Sequence, residues 1–259
     1  MPFAYSHSFR TSGGHLVYVP TAYGRERGHA TTRQVLARWR PPSHFFHFRR
    51  GGHVAACRYH RANSLFARLD IQSFFDSVTR TKVHRALKRI RVPQEEAVEI
   101  TRVSTVERVT KPGTFALPFG FVQSMVLASV ALDLSAVGKL LRTGHRYGVR
   151  VSVYVDDILL SAAQADQLDE FIADLMQAGA ASGYQFNAAK MSPPSEMAEA
   201  FNIVVSNGDL HVNVLRMAEF EEVVRDGAPE TAAAVIRYVS SVNRSQAGFL
   251  RDVNDSGAD

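Results

Sequence analysis

Cysteine is almost missing from this 259-residue chain. The one thiol, Cys57, excludes an internal disulfide, and a zinc site of the usual cysteine kind needs more than one sulfur. A small buried residue is the expectation for it. No run of about 18 apolar residues occurs, and the first residues lack the apolar block of a signal peptide, so neither a membrane span nor export is expected. The expected compartment is the cytoplasm. There is no internal repeat and no low-complexity linker. What is present is material for a core: 46% of residues are hydrophobic, enough at this length for one large domain or two small ones.

Acidic residues are scarce in the first part of the chain. Residues 1–112 hold 20 Lys and Arg against 7 Asp and Glu, a balance of +13, whereas 113–259 hold 10 against 18, a balance of −8. Most of the basic residues are arginine, which grips phosphate through paired donors and stacks on bases. The first part is suited to meeting a polyanion, with a plain solvated basic face as the alternative. Within it, Phe45-Phe46-His47-Phe48-Arg49-Arg50-Gly51-Gly52 sets aromatics before paired arginines and glycines. Glycine lets backbone come close to a phosphate and arginine supplies the charge. His44 and His47 have no acid or cysteine nearby and carry little weight as a metal pair.

Residues 1–64 show little clean periodicity: Gly13-Gly14 and Tyr23-Gly24 mark turns around a short strand at 16–19. A strand from Leu65 ends in Asp70 and turns through Phe74 and Phe75. Thr79 or Thr81 caps the helix that follows. There Val83, Ala86, Leu87 and Ile90 form an apolar stripe, and Lys82, Arg85, Lys88 and Arg89 coat the other faces. Another helix is expected over 94–109, and Leu117 to Ser124 reads as a loop leading into a helix over 123–142, stopped by Gly144. A helix over 165–181 carries the stripe Leu168, Phe171, Ile172, Leu175 and Met176 and closes at Gly183. Asn207-Gly208 between apolar runs marks a hairpin. Helical, acidic segments fill 216–243, and the last residues read as frayed.

The stretch 151–161 breaks the pattern, because Asp156 and Asp157 interrupt two apolar, β-branched runs that fit a strand-turn-strand hairpin. Burying two carboxylates is costly without a cation. Hard divalent ions such as magnesium take oxygen ligands and keep water and phosphate in the rest of their shell. The hairpin therefore reads as half of a metal site for phosphoryl chemistry. An isolated Asp-Asp pair is more often a solvated turn, so the rest of the chain has to decide.

Asp70 at a strand end, the loop at Gly120, the Asp156-Asp157 hairpin, Gly183 to Lys190 and the hairpin from Phe201 to Val212, in that order, resemble the palm of reverse transcriptases. Leu117 to Ser124 resembles the family's Leu-Pro-Gln-Gly loop, and Tyr154 to Asp157 its Tyr-x-Asp-Asp box. The resemblance implies an α+β fold of the right-hand polymerase kind, with fingers and palm, an antiparallel palm sheet backed by helices and a reduced thumb. Fingers would be 1–64 and 79–115, palm 65–78 and 116–214, and a short helical thumb-like tail 215–259. The implied activity is RNA-directed DNA polymerase, a nucleotidyltransferase using two Mg2+ ions, with Mn2+ as a substitute.

By the same resemblance Asp70 and Asp156 bridge the metals, Asp157 supports them, and the Ile71 carbonyl completes the shell. Phe75 falls where the family stacks an aromatic beneath the nucleotide sugar and excludes a 2′-hydroxyl, with core packing as the alternative. Arg49 and Arg50 resemble the residues that hold the incoming triphosphate, and which of the two does so is open. Phe119 and Gly120 belong to the nucleotide pocket, and Lys190 stands where a lysine protonates the leaving pyrophosphate. Two departures stand out: Phe119 replaces the usual Gln, and Met125 replaces the Pro that usually follows the Ser. Arg85, Lys88 and Arg89 are candidate nucleic-acid contacts.

The segment after Val212 is small and acidic for a thumb, so a protein partner or a second copy is expected to help hold a duplex. Neither an RNase H nor an endonuclease segment is read after the palm region, so a retroviral or mobile-intron enzyme is not expected. Ala200-Phe201-Asn202-Ile203 stands where retron enzymes carry Val-Thr-Gly, which resembles the bacterial defence-associated reverse transcriptases of the unknown groups. Implied partners are a dedicated non-coding RNA template, dNTPs and a DNA product, in anti-phage defence. A template-independent or protein-primed DNA polymerase is one alternative, and an RNA-binding scaffold with a palm fold is another.

Overall fold

The computed structural model of the chain describes residues 4–256. In chain order the elements are β1 (Tyr5–Arg10), β2 (Leu16–Pro20), α1 (Ala22–Arg38), a 3-10 turn (Phe46–Phe48), α2 (Gly52–His60), β3 (Leu65–Asp70), α3 (Phe74–Ser77), α4 (Arg80–Arg89), α5 (Gln94–Ser104), β4 (Val106–Glu107), β5 (Phe115–Ala116), α6 (Ser124–Asp133) and α7 (Ala136–Leu141). A second 3-10 turn (Gly144–Tyr147) leads to β6 (Arg150–Tyr154), β7 (Asp157–Ala162), α8 (Ala165–Ser182), β8 (Ser192–Ser195), β9 (Met197–Ala200), β10 (Ile203–Ser206), β11 (Asp209–Val212), α9 (Val214–Asp226), α10 (Pro229–Val242) and α11 (Arg244–Ser256). These form two compact units. One takes the chain up to Ser43, Ile71–Thr143 and Asp174–Phe186; the other takes His44–Asp70, Gly144–Ala173 and the chain from Asn187.

The first unit is mostly helical. Thr79 caps α4 by accepting from the Lys82 N–H, and Val83, Ala86, Leu87 and Ile90 are buried as their spacing requires. Three expectations fail here. Tyr23-Gly24 is inside α1, whose buried stripe of Gly24, Gly28, Thr31 and Val35 is too small and polar to register as amphipathic. Gly24 is needed for close approach, since a Cβ there would run into the Ala4 carbonyl. The helix expected over 94–109 ends at Ser104, where Thr105 turns extended and β4 begins. The helix expected over 123–142 is broken: Ser135 caps a new helix, α7, by accepting from the Gly138 N–H at 3.2 Å. The break seats buried Asp133 between Trp39 Nε1 at 2.8 Å and the Arg142 fork at 2.9 and 2.6 Å. A buried carboxylate is tolerable only with such partners.

The second unit is built on a four-stranded antiparallel sheet in the order β6-β7-β3-β8. On one face Leu69, Ile158, Leu160 and Val153 are fully buried. On the other, Phe66 and Leu159 pack with Val54 and Cys57 of α2 and with Ala198, Ile203 and Val205 of the three-stranded sheet β9-β10-β11. Each such side chain is worth about 1.5–3 kcal/mol when fully buried. Cys57 is the core residue expected of it, its thiol pushed up to about 12 by burial and hence unreactive. His60 of α2 bridges Ser152 of β6 and Ser161 of β7, both at 2.8 Å, and burial holds its pKa down to about 3. The neutral ring donates to one hydroxyl and accepts from the other.

Two further expectations fail. Met176 is exposed, because the buried stripe of α8 keeps to Leu168, Phe171 and Leu175. The residues read as frayed form α11, whose Ala247 and Leu250 complete a small core with Phe220, Val224 and Val239 of α9 and α10.

Candidate active site

Three carboxylates gather at one end of the β6-β7-β3-β8 sheet. Asp70 and Asp157 are register partners across β3 and β7, and Tyr154 faces Asp157 across β6 and β7. Directly opposed residues share a face. Asp156 lies beside them in the two-residue turn that joins β6 to β7.

The three acids are not equivalent. Asp157 is taken up by Arg68, whose Nε and Nη2 donate to its Oδ1 at 3.0 and 2.6 Å. Asp70, 4% exposed, meets the Lys190 ammonium at 3.2 Å. Lys190 is placed there by a local bend, in which the Asn187 N–H donates to the Asp70 carbonyl and the Asn187 carbonyl accepts from the Lys190 N–H. Asp156 has no such cation bonded to it among the described residues. Its pKa is raised to about 6, first by burial and then by the charges of Asp157 and Asp70, against a backbone hydrogen bond and Lys190. The site therefore holds more negative charge than its own residues balance, with oxygen donors only.

The turn itself is strained. Val155 has φ +61°, a conformation that a β-branched residue adopts only when its surroundings impose it. His47 is the surrounding group: the Val155 N–H donates to its Nδ1 at 3.1 Å. A backbone N–H can only donate, so the ring carries its proton on Nε2, and the 3.4 Å approach of Nδ1 to the Val153 carbonyl is a contact without a proton. Burial lowers the His47 pKa to about 4, which keeps that acceptor free of a proton near neutrality. Sequence reasoning weighed His47 only as a metal ligand and passed over Arg68. The available signal for Arg68 was strand alternation, which puts it on the same face as Asp70.

Arg49 and Arg50 lie exposed in the same unit as the acids, before Gly51 and Gly52, both at positive φ. The Arg49 guanidinium stacks 4.6 Å above the Phe46 ring, and a Cβ on Gly52 would stand 3.6 Å from the Tyr154 ring, so this loop abuts the Asp-Asp hairpin.

The remaining candidates are in the first unit. Phe75 is half-buried and meets Phe119 edge-on at 4.7 Å, while Phe74 takes the core position. The Phe119 carbonyl accepts from the Tyr18 N–H at 2.9 Å. Gly120 has φ +98°, and a Cβ would strike the Tyr18 carbonyl, so only glycine fits. Ile71 is buried in a bridge with Phe186. Arg85, Lys88 and Arg89 are exposed on α4.

The antiparallel mixed α/β fold, with its sheets backed by helices, is similar to polymerase folds of the reverse-transcriptase kind. The sequence profile of reverse transcriptase (RNA-dependent DNA polymerase) matches residues 22–198, and the chain belongs to that family. Among solved structures, apo telomerase from Candida tropicalis superposes with TM-score 0.59 at 10% identity, over 98% of this chain and 56% of that one. The foamy viral protease-reverse transcriptase in complex with RNA/DNA hybrid gives 0.55 at 10% identity, over 97% and 33%, and its complex with double-stranded DNA gives 0.54 at 11%, over 96% and 42%. The chain spans about half or less of the length of such structures, and the likeness is one of fold. No curated protein sequence matches it. No helix among the described residues is long and apolar enough to cross a membrane.

The family works with Mg2+. Among the described residues no group of three or more His, Cys, Asp or Glu is arranged to hold a metal. The donor set nevertheless fits a magnesium ion: two carboxylates, one of them with its charge unbalanced, suit a cation that keeps waters and substrate phosphates in its shell.

Proposed function

We propose that this chain is an RNA-directed DNA polymerase that adds dNTPs to a growing cDNA by two-metal phosphoryl transfer. The observation that carries this is the convergence of Asp70 and Asp156 at one sheet end, with Asp157 withdrawn into the Arg68 pair. Asp70 and Asp156 would hold Mg2+, or Mn2+ in its place, together with the Ile71 carbonyl, while Asp157 supports. Bound there, the ions supply charge stabilisation at the attacking 3′-oxygen and the leaving pyrophosphate. The protein's own residues do the rest. Arg68 anchors Asp157, and through it the hairpin; His47 fixes the turn that carries Asp156; Arg49 or Arg50 orients the triphosphate. Lys190, whose side chain is 55% exposed and whose ammonium is bonded to Asp70, hands a proton to the leaving group. Phe75, with Phe119 and Gly120 beside it, forms the floor under the sugar.

In this proposal fingers are 1–64 and 79–115, palm 65–78 and 116–214, and the three-helix tail from 215 a reduced thumb. The bacterial defence branch and a dedicated non-coding RNA template rest on the Ala200 to Ile203 segment. That segment is a hairpin in which Phe201 and Asn202 both take positive φ, and the Phe201 ring packs on Tyr154 at 5.1 Å.

The test is labelled dNTP incorporation on a primed RNA, with sequencing of the product. A Mg2+-dependent product complementary to the RNA is expected. Product unrelated to the template would replace the proposal with template-independent synthesis, and RNA binding without incorporation would leave a scaffold.

His47→Phe keeps the packing and removes the acceptor. Leaving the Val155 N–H unpaired costs about 1–3 kcal/mol, and incorporation is expected to fall by about tenfold, with little change in KM for dNTP. His47→Gln, which offers an amide oxygen, is expected to recover part of the loss. Equal rates in all three proteins, measured under single-turnover conditions, would remove His47 from the site.

A further inference from the structure

On the first unit, a cavity of about 350 Å³ opens between α4, α7 and the end of α8. Its wall carries Lys82, Arg85 and Arg89 from α4 and Lys139 from α7, and no Asp or Glu. Four like charges converging on one space are unfavourable unless an anion joins them. Two of the four are fixed in place. The Lys82 ammonium lies 3.8 Å above the Tyr184 ring and donates to the Gly183 carbonyl at 2.8 Å, and Arg89 Nη1 donates to the Leu134 carbonyl at 2.7 Å with the rest of its fork left over. Arg85 and Lys139 are exposed and able to close over a ligand. Burial and the charge of Arg108 lower the Lys82 pKa to about 8, so it is still largely charged at neutral pH.

Two hydroxyls point to the same chemistry. Ser182 Oγ accepts from the Ala136 N–H at 3.1 Å, which leaves its own proton to donate. Tyr184 lines the cavity at 2% exposure, and its hydroxyl has no partner among the described residues. A buried hydroxyl without a partner costs about 1–3 kcal/mol, which an acceptor oxygen would relieve.

We propose that this cavity is a phosphate site that holds the backbone of an RNA strand, built from Lys82, Arg85, Arg89, Lys139, Ser182 and Tyr184. Guanidinium, ammonium and hydroxyl groups recognise phosphodiester oxygens without reading bases, so the site fixes position and not sequence. The phosphate chemistry stands on the cavity itself; that the polyanion is RNA rests on the proposed function. Lys111, exposed in the same unit, is not part of the wall.

The test is anisotropy of a labelled single-stranded homopolymer RNA on the full chain across a salt series, without dNTP or divalent ion. Each lost contact flattens the logarithmic salt slope by about 0.7 for a single strand. Arg85→Glu with Lys139→Glu is expected to flatten it by about 1.4, and Lys111→Glu to leave it near the parent value. An unchanged slope in the double variant, with its melting curve intact, would overturn the site. So would an equal drop in Lys111→Glu, which would describe a diffuse basic face. If inorganic phosphate raises the melting temperature as much as RNA at equal phosphate concentration, the ligand is a free phosphate and the RNA assignment falls. If the double variant loses polyglutamate binding and keeps its RNA slope, the cavity serves an acidic protein. The readout needs no catalysis, so absent dNTP incorporation would sink the polymerase proposal while this result stood on its own.

Discussion

Asp156→Asn is expected to raise the melting temperature of the metal-free protein while removing nucleotide incorporation. Both effects come from one cause, a carboxylate held buried among like charges. Its pKa moves from 3.8 to about 6 on folding, so the folded protein binds this proton more tightly than the unfolded chain does. Stability from this group is therefore fully present below about pH 4 and is lost as pH rises through about 6. Above that the ionised Asp156 destabilises the native state by about 1–3 kcal/mol, allowing for its partial exposure. The amide cannot ionise, so the variant should lose this pH dependence and gain about 2–4 °C for each kcal/mol relieved. Mg2+ should raise the melting temperature of the parent protein above pH 6, and do so far less in the variant, because a ligand that binds only the native state stabilises it. Incorporation should fall by about a thousandfold, the equivalent of several kcal/mol of charge stabilisation. Thermal melts across pH with and without Mg2+, beside a labelled-dNTP assay, measure all of this. A folded variant with parental incorporation would dismiss the polymerase proposal, and a lower metal-free melting temperature would dismiss the charge-repulsion account.

The elements that carry the site were the most legible. Val151 to Ser161 declares a hairpin through its β-branched residues, and in the observed register Asp70 and Asp157 stand directly opposite on one face, which a slip of one residue would undo. The stripe of α4 was readable because its buried residues are apolar. By contrast α1 hides its inner face in Gly24, Gly28 and Thr31, which pack by smallness and leave no hydrophobic pattern. The break at Ser135 was invisible in composition because α6 and α7 are apolar on either side of it; only the Asp133–Arg142 fork, a tertiary contact, shows why the chain turns there. His47 escaped for the same reason. Its partner is a backbone N–H more than a hundred positions away, and no residue pattern announces an acceptor for a main-chain donor. Arg68 could have been found, since one alternation step from Asp70 puts it on the same face.

Phe75→Val is expected to admit ribonucleotides and leave the carboxylate site as it is. Phe74 and Phe75 are adjacent and chemically alike, yet only Phe74 is fully in the core; Phe75 is half-buried and braced edge-on by Phe119 at 4.7 Å. Such bracing fixes the ring plane, and edge-to-face pairs add about 0.5–1.5 kcal/mol beyond the area they bury. A ring held this way beneath a nucleotide sugar rejects a 2′-hydroxyl by overlap, and trimming it to Val removes the overlap. The preference for dNTP over rNTP should then narrow by about 10- to 100-fold, which is about 1.4–2.8 kcal/mol of relieved clash, mostly through faster rNTP addition. Phe119→Ala should loosen the same ring from behind and narrow the preference less. A merely packed aromatic behaves otherwise: Phe→Ala in a core costs about 3–5 kcal/mol, and activity should then fall alike for both nucleotides as the melting temperature drops. Single-nucleotide extension with dNTP and rNTP on one primed template, with a melting curve for each variant, separates the two. A parental dNTP-to-rNTP ratio in a destabilised Phe75→Val protein would show that Phe75 packs the fold and selects nothing.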